Sequence, residues 1–216
     1  PSTDRITCRA VASRRFEVTV TGPGGHSWSD YGAGNPVHAL SRAIAVFADQ
    51  HRNGAARSGP GSGERAAFNF GIIDGGTSVN SIPTVARAKV DFRSEALDRV
   101  DEMVVLLSAS VERALEEENR RATSGRLSAK IREIGWRPAG RLADDALLLQ
   151  HLRAVDAYLG ILSYTDSATT DANIPLSLGV QAVSIGAGGE GGGAHTPSEW
   201  YHPRGREIGL KRILLT

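Results

Sequence analysis

The chain has 216 residues, 40% hydrophobic and 23% charged, with a formal net charge of +1. That length holds one large domain or two small ones of an ordinary soluble globular protein. The balanced charge gives no global pull toward nucleic acid or acidic membranes, and no apolar run approaches the ~18 residues of a membrane span. A single cysteine, Cys8, excludes an intrachain disulfide framework and fits a reducing, cytoplasmic compartment. The chain opens at Pro1 with neither a methionine nor a signal-like segment, and so reads as part of something longer or as a processed product.

In chain order, Arg15 to Gly22 alternates with β-branched residues and predicts a strand. A Gly-Pro-Gly-Gly-His loop follows, and Asn35-Pro36 reads as an N-cap with proline at the first helical position. Val37, Leu40, Ile44 and Phe47 recur at helical spacing, and Asn53-Gly54 predicts the end of that helix. Arg57 to Gly63 reads as a flexible surface loop. Ala66 to Ile73 and Thr84 to Arg93 predict two strands joined by residues 74–83. A second helix has Leu97, Val100, Val104, Leu107, Val111 and Leu115 on its apolar face, and Arg126 to Ile134 alternates as a closing strand. The order β-α-β-β-α-β predicts an α+β ferredoxin-like domain over residues 14–134. Beyond it stand a helix around Ala146 to Leu159, one apolar strand at Gln181 to Ile185 and a short final helix near Gly205 to Leu214. This segment, 135–216, is α/β-like, and with one convincing strand it is too small to bury a core alone.

Two histidines end glycine-rich runs: His26 in Gly22-Pro23-Gly24-Gly25-His26-Ser27-Trp28, and His195 in Gly191-Gly192-Gly193-Ala194-His195-Thr196. Glycine permits positive φ and close approach of the backbone at an entropic cost, and imidazole binds metals and moves protons. His195 lies on a loop past the C-terminal end of the 181–185 strand, where open α/β sheets place ligands. Glu199, four residues on, is a candidate to orient its ring. A solvent-facing histidine on a mobile loop is the plainer reading, which the glycine density disfavours. Residues 186–191 match a dinucleotide fingerprint only literally, because no helix opens after them. His26 either caps its loop or serves a site, and Ser27 lacks the Gly-x-Ser-x-Gly context of a nucleophile. Arg93, ending its strand, either forks onto a carboxylate or makes a surface salt bridge. Asn80 is either a turn residue or an amide that grips substrate. Thr170 to Pro175 reads as a helix N-cap, and Glu116 to Glu118 and the basic stretch Arg120 to Arg141 read as solvated faces.

Five segments, Gly-Pro-Gly-Gly-His-Ser (22–27), Gly-Gly-Thr-Ser-Val-Asn-Ser-Ile-Pro (75–83), Val-Asp-Phe-Arg (90–93), Thr-Asp-Ala-Asn (170–173) and Gly-Gly-Gly-Ala-His-Thr-Pro-Ser-Glu-Trp (191–200), together resemble one family. It is that of the di-zinc exopeptidases and deacylases, which includes carboxypeptidase G, acetylornithine deacetylase, succinyl-diaminopimelate desuccinylase, aminoacylase and tripeptide aminopeptidase. The resemblance implies a ferredoxin-like lid that makes a homodimer, followed by the C-terminal part of a zinc-binding catalytic domain. It implies His195 as a metal ligand and His26 as a catalytic group reaching the partner subunit's oxyanion. Asn80 and Arg93 would hold a substrate carboxylate, and the loop near Gly188 would line the pocket. The substrate class implied is a short peptide or an N-acyl amino acid. The family's other ligands, a His-x-Asp, a bridging Asp, a Glu-Glu pair and a further acid, have no counterpart here, so two zinc ions are expected only in the intact enzyme and this chain alone is expected to be inactive. The alternative from another class is a non-catalytic dimerisation or RNA-binding module. Against RNA, the strands lack the aromatic pattern that stacks bases.

Overall fold

The structure, a computed structural model, describes residues 2–57 and 65–216. In chain order its elements are β1 (Arg5–Ala10), β2 (Ala12–Thr21), β3 (Gly25–His26), α1 (Pro36–Arg57), β4 (Ala66–Gly75), β5 (Ser81–Ile82), β6 (Val85–Ser94), α2 (Leu97–Arg121) and β7 (Ser128–Arg137). There follow β8 (Gly140–Arg141), α3 (Leu147–Leu159), β9 (Tyr164–Ala168), α4 (Asn173–Ser177), β10 (Ser184–Ile185), β11 (Glu190–Gly192), β12 (Trp200–His202) and α5 (Arg206–Leu215). They form two compact units, Ser13–Trp136, and Pro1–Ala12 together with Arg137–Thr216. No helix among the described residues is long and apolar enough to cross a membrane.

In the unit Ser13–Trp136 the sheet order is β4-β6-β2-β7. Period-two burial makes the apolar face: Phe16, Val18 and Val20 of β2 and Ala86, Ala88, Val90 and Phe92 of β6 are buried, while the residues between them are more open. α1 and α2 pack on each other and on β6. Phe47 of α1 stacks on Phe92 with ring centroids 5.4 Å apart, and meets Phe68 edge-on at 4.9 Å. β4 and β6 pair antiparallel with Phe68 opposite Phe92, and the register shifts between Phe70 and Ile72.

Asn35 caps α1 as its sequence predicts, its Oδ1 accepting the Val37 and His38 amides at 2.9 and 3.3 Å. The expected stop at Asn53-Gly54 is wrong, because α1 continues to Arg57. A glycine costs a helix about 1 kcal/mol, too little to end one anchored by Leu40, Ala43 and Phe47 in its preceding turns. Beyond Arg57, the expected surface loop (57–63) lies outside the described residues. The buried face of α2 is also displaced from expectation. It runs through Val100, Met103, Leu107, Ser110, Val111, Ala114 and Glu118, with Leu97 exposed and Val104 and Leu115 half-buried. The small Ser110 and Ala114 suit a helix held close to its neighbour. Glu118 is therefore not part of a solvated face: its Oε1 accepts the Asn35 amide at 3.2 Å, and Arg42 lies 3.7 Å from its Oε2.

In the other unit the central strand is β1, parallel to β9 (Ile6 opposite Thr165) and antiparallel to β10 (Ile6 opposite Ile185) and β8. Ile6, Cys8, Ala10, Leu149, Leu152 and Leu176 belong to one buried cluster. A core therefore does form here, built on a strand the sequence reading did not count. α3 and α5 are joined by a buried fork, Arg212 Nε and Nη2 donating to the two Asp156 carboxylate oxygens at 2.6 and 2.7 Å. The expected strand over 181–185 shrinks to the two residues of β10.

Candidate functional site

His26 stands on a small ribbon made by β3 and β5, with Gly25 opposite Ile82 and His26 opposite Ser81. The Gly22 amide donates to Thr84 O at 2.9 Å and the Ser27 amide to Asn80 O at 2.9 Å, tying the two loops on either side of the ribbon. The ribbon thereby brings His26 and Asn80 together, although 54 positions separate them in sequence. The His26 amide donates to Asp30 Oδ2 at 2.7 Å, and the Asp30 amide returns a bond to His26 O at 2.9 Å. His26 Nδ1 accepts from the Trp28 and Ser29 amides at 3.2 and 3.4 Å. Ser78 Oγ donates to the Asn80 side-chain oxygen. Both candidate residues are exposed, and Trp28 and Tyr31 beside them are 86% and 87% exposed.

The glycines of this loop have distinct reasons. Gly24 has φ +71°, and a Cβ on Gly25 (φ +150°) would lie 2.8 Å from the Asp30 carboxylate oxygen. A side chain at position 25 would displace the carboxylate that holds His26.

Arg93 is not part of this cluster. It sits near the far end of β6, eight residues past Val85, and at ~3.4 Å per residue that is about 27 Å along the strand. There its Nε donates to Asp91, which also accepts from Arg15 Nε at 2.9 Å and Ser13 Oγ at 3.1 Å. Burial pushes the Asp91 carboxyl up, but the hydrogen bonds from Arg93, Arg15 and Ser13 outweigh it and hold the group below its ordinary range.

His195 tips the hairpin of β11 and β12, where Gly192 pairs with Trp200 and Glu190 with His202. At φ 65° it is the one non-glycine residue with positive φ among the described residues, a conformation that costs energy and concentrates at functional sites. The Thr196 amide and hydroxyl both donate to Gly193 O, at 3.0 and 2.7 Å, and the Glu199 amide donates to Thr196 O at 3.1 Å. Glu199 and His195 form no ion pair among the described residues, so the expected orienting contact is not made within the chain. Gly188 has φ +83°, and a Cβ there would lie 2.8 Å from Gly205 O and 2.9 Å from Arg206 Cα. Its carbonyl accepts the Tyr201 hydroxyl at 3.3 Å. Packing against the start of α5 accounts for that glycine. Thr170 to Pro175 is likewise structural. Thr170 Oγ1 accepts the Ala172 amide, and Asn173, buried, donates to Val11 O and Pro138 O at 2.9 and 2.8 Å. Among the described residues no three His, Cys, Asp or Glu side chains are grouped as a metal ion requires.

Against known proteins, residues 12–120 match the model of a peptidase dimerisation domain. The chain belongs to peptidase family M20. The match takes in His26, Asn80 and Arg93, and ends before His195 and Gly188. No curated protein sequence matches at a significant level. Among solved structures, aminopeptidase PepT from Bacillus cereus is similar with 16% identity and a TM-score of 0.72, over 100% of this chain and 52% of that one. A tripeptidase from Staphylococcus aureus gives 14%, 0.75, 99% and 53%. An amidase of the hydantoinase/carbamoylase family from Burkholderia vietnamiensis gives 19%, 0.72, 97% and 48%. These likenesses establish the fold. The M20 chain spans about half the length of the structures it matches.

Sequence reasoning gave no role to two contributors to the ribbon that carries His26 and to its tip beyond, Asp30 and Ser78. The signal for Asp30 was available in the His-x-x-x-Asp spacing after glycine, since a short carboxylate bonds backbone amides of its own turn. Ser78 has a local signal of the same kind, a hydroxyl two residues from the Asn80 side chain.

Proposed function

We propose that the protein containing this chain is a zinc-dependent hydrolase that cleaves a peptide or N-acyl bond of a short peptide or acylated amino acid. Residues 14–134 are its ferredoxin-like lid and dimerisation domain, and residues 135–216 are the C-terminal part of its catalytic domain. The observation that carries this reading is the meeting of His26 and Asn80 on one exposed ribbon within the matched dimerisation domain. The sheet order and the β-α-β-β-α-β succession support the lid assignment. His26 donates to the oxyanion that develops on the substrate carbonyl, a role filled by positioned hydrogen-bond donors.

Asn80 and Arg93 bind the substrate carboxylate in this reading. Because Asn80 lies beside the β3–β5 ribbon that precedes β6, and Arg93 near the far end of that strand, the length of β6 keeps the two from meeting on one small ligand within a protomer in this reading. The pair therefore comes from two protomers of a homodimer, each giving His26 and Asn80 to one site and Arg93 to the other. β4, at an edge of its sheet with Ile72 and Ile73 more than half exposed, supports pairing with a second copy. Gly188 lines the pocket through its backbone.

His195 is assigned as one metal ligand, on the strength of its exposed, positive-φ position. When bound, zinc polarises a carbonyl and acidifies water. A catalytic zinc takes about three protein ligands, and in this reading His195 supplies one while the others come from the rest of the protein. Calorimetric titration of the 216-residue chain with zinc is expected to show no tight binding. A tight, stoichiometric two-metal site would overturn the division of the active site. In the protein that carries the remaining ligands, His26→Ala is expected to lower kcat on dipeptides or N-acyl amino acids about 100-fold with zinc content retained. Loss of zinc instead would remove His26 from the oxyanion role.

A further inference from the structure

We propose that Asp30 is a positioning residue that holds His26 in its Nε2–H tautomer, so that the tip presents a fixed hydrogen-bond donor to an oxygen acceptor on its ligand. Nδ1 faces two backbone N–H groups, those of Trp28 at 3.2 Å and Ser29 at 3.4 Å. Amides can only donate, so Nδ1 must offer a lone pair, and the neutral imidazole then carries its proton on Nε2.

What keeps those amides under the ring is the turn that Asp30 closes. Its carboxylate accepts the His26 amide at 2.7 Å, a charge-assisted bond, and its own amide donates to His26 O at 2.9 Å. Both backbone groups of His26 are thus fixed by one residue four positions on. Asp30 makes no ion pair among the described residues, so its carboxylate is not engaged with a surface cation instead. Gly25 completes the arrangement, since a Cβ there would meet Asp30 Oδ2, Cβ and Cγ at 2.8, 2.9 and 3.0 Å. The glycine before His26 makes room for the carboxylate that orients it. Alongside, Ser78 occupies the Asn80 side-chain oxygen, which leaves the Asn80 amide hydrogens pointing away from that bond. The tip therefore offers donors from two side chains and suits a carboxylate or a developing oxyanion.

The tautomer follows from this chain's own geometry; only its catalytic consequence rests on the oxyanion reading above. The test is long-range 1H–15N correlation of the imidazoles in the 15N-labelled 216-residue chain at mildly alkaline pH, with His26→Ala identifying the His26 signals. A single Nε2–H pattern is expected. Asp30→Ala should shift it to the averaged pattern of an unconstrained imidazole. Asp30→Asn, whose carboxamide oxygen can still accept the His26 amide, should restore it. An Nδ1–H or averaged pattern in the unmodified chain, or a single pattern unchanged by Asp30→Ala, overturns the proposal. In the complete hydrolase Asp30→Ala should lower kcat 10- to 100-fold at unchanged KM and metal content, with Asp30→Asn rescuing it. If the spectra behave as expected while His26→Ala leaves kcat untouched, the oxyanion reading falls and the positioning role of Asp30 stands.

Discussion

The two histidines that end glycine-rich runs look alike in sequence and are held in opposite ways. His26 is fixed by hydrogen bonds, with its amide, carbonyl and Nδ1 all engaged within five residues. His195 is fixed by backbone conformation, at φ 65° on a hairpin tip, and its ring makes no hydrogen bond among the described residues. Glycine serves the first by clearing space for a carboxylate and the second by letting a tight hairpin turn form. A glycine run before a histidine therefore marks exposure, while the neighbouring donors and acceptors decide whether the ring is already oriented.

The largest expected effect falls in the unit that carries His195. Asp156→Ala would leave the Arg212 guanidinium buried without its fork, at a cost of about 3–5 kcal/mol. Urea denaturation should show an early loss of the unit containing α3 and α5, with the His26 tautomer signal retained. Simultaneous loss of both would show that the two histidines share one cooperative unit. Next, Gly25→Ala should destabilise by roughly 1–3 kcal/mol through overpacking against Asp30, and should also release the His26 tautomer. A stable variant with an unchanged imidazole spectrum would separate the glycine from the orientation of the ring.

A smaller effect of opposite sign separates the histidines directly. His195→Gly removes the strain of positive φ and should raise the melting temperature, by up to about 1 kcal/mol of added stability, whereas His26→Gly should lower it. Equal destabilisation by both would mean that His195 is held by contacts rather than strain. The smallest effect concerns Asp91 and His51. Both carry folded pKa values below their ordinary ones, Asp91 because hydrogen bonds outweigh burial and His51 through burial. Each therefore contributes stability above its unfolded pKa that is lost as pH falls. Acidification should weaken the unit Ser13–Trp136 first on falling through 6.5, the ordinary His51 value, then below the ordinary Asp91 value of 3.8. Asp91→Asn should flatten the lower step in a pH series of melts.

Much of the unit Ser13–Trp136 was legible because its elements are long and one-sided. Phe16, Val18 and Val20 announce a strand, and Leu40 and Phe47 announce a helix, whatever lies around them. β1 was not legible. Arg-Ile-Thr-Cys-Arg-Ala has no clean alternation, since Ile6, Thr7 and Cys8 are buried in succession between partners more than 130 residues away. β3 and β5 were beyond reach for another reason, as two residues carry no periodicity.

The sequence by itself determined the long one-sided elements of the unit Ser13–Trp136, the two histidines that end glycine runs and the resemblance that named the family, because periodicity, caps and glycine runs act within a few residues. Only the tertiary structure decided that Asn80 meets His26 and Arg93 does not, because a strand separates residues along its length while a ribbon joins loops distant in sequence. It also decided how each histidine is held. Hydrogen-bond geometry at Asp30 and backbone conformation at His195 depend on where the folded chain puts its donors, acceptors and turns.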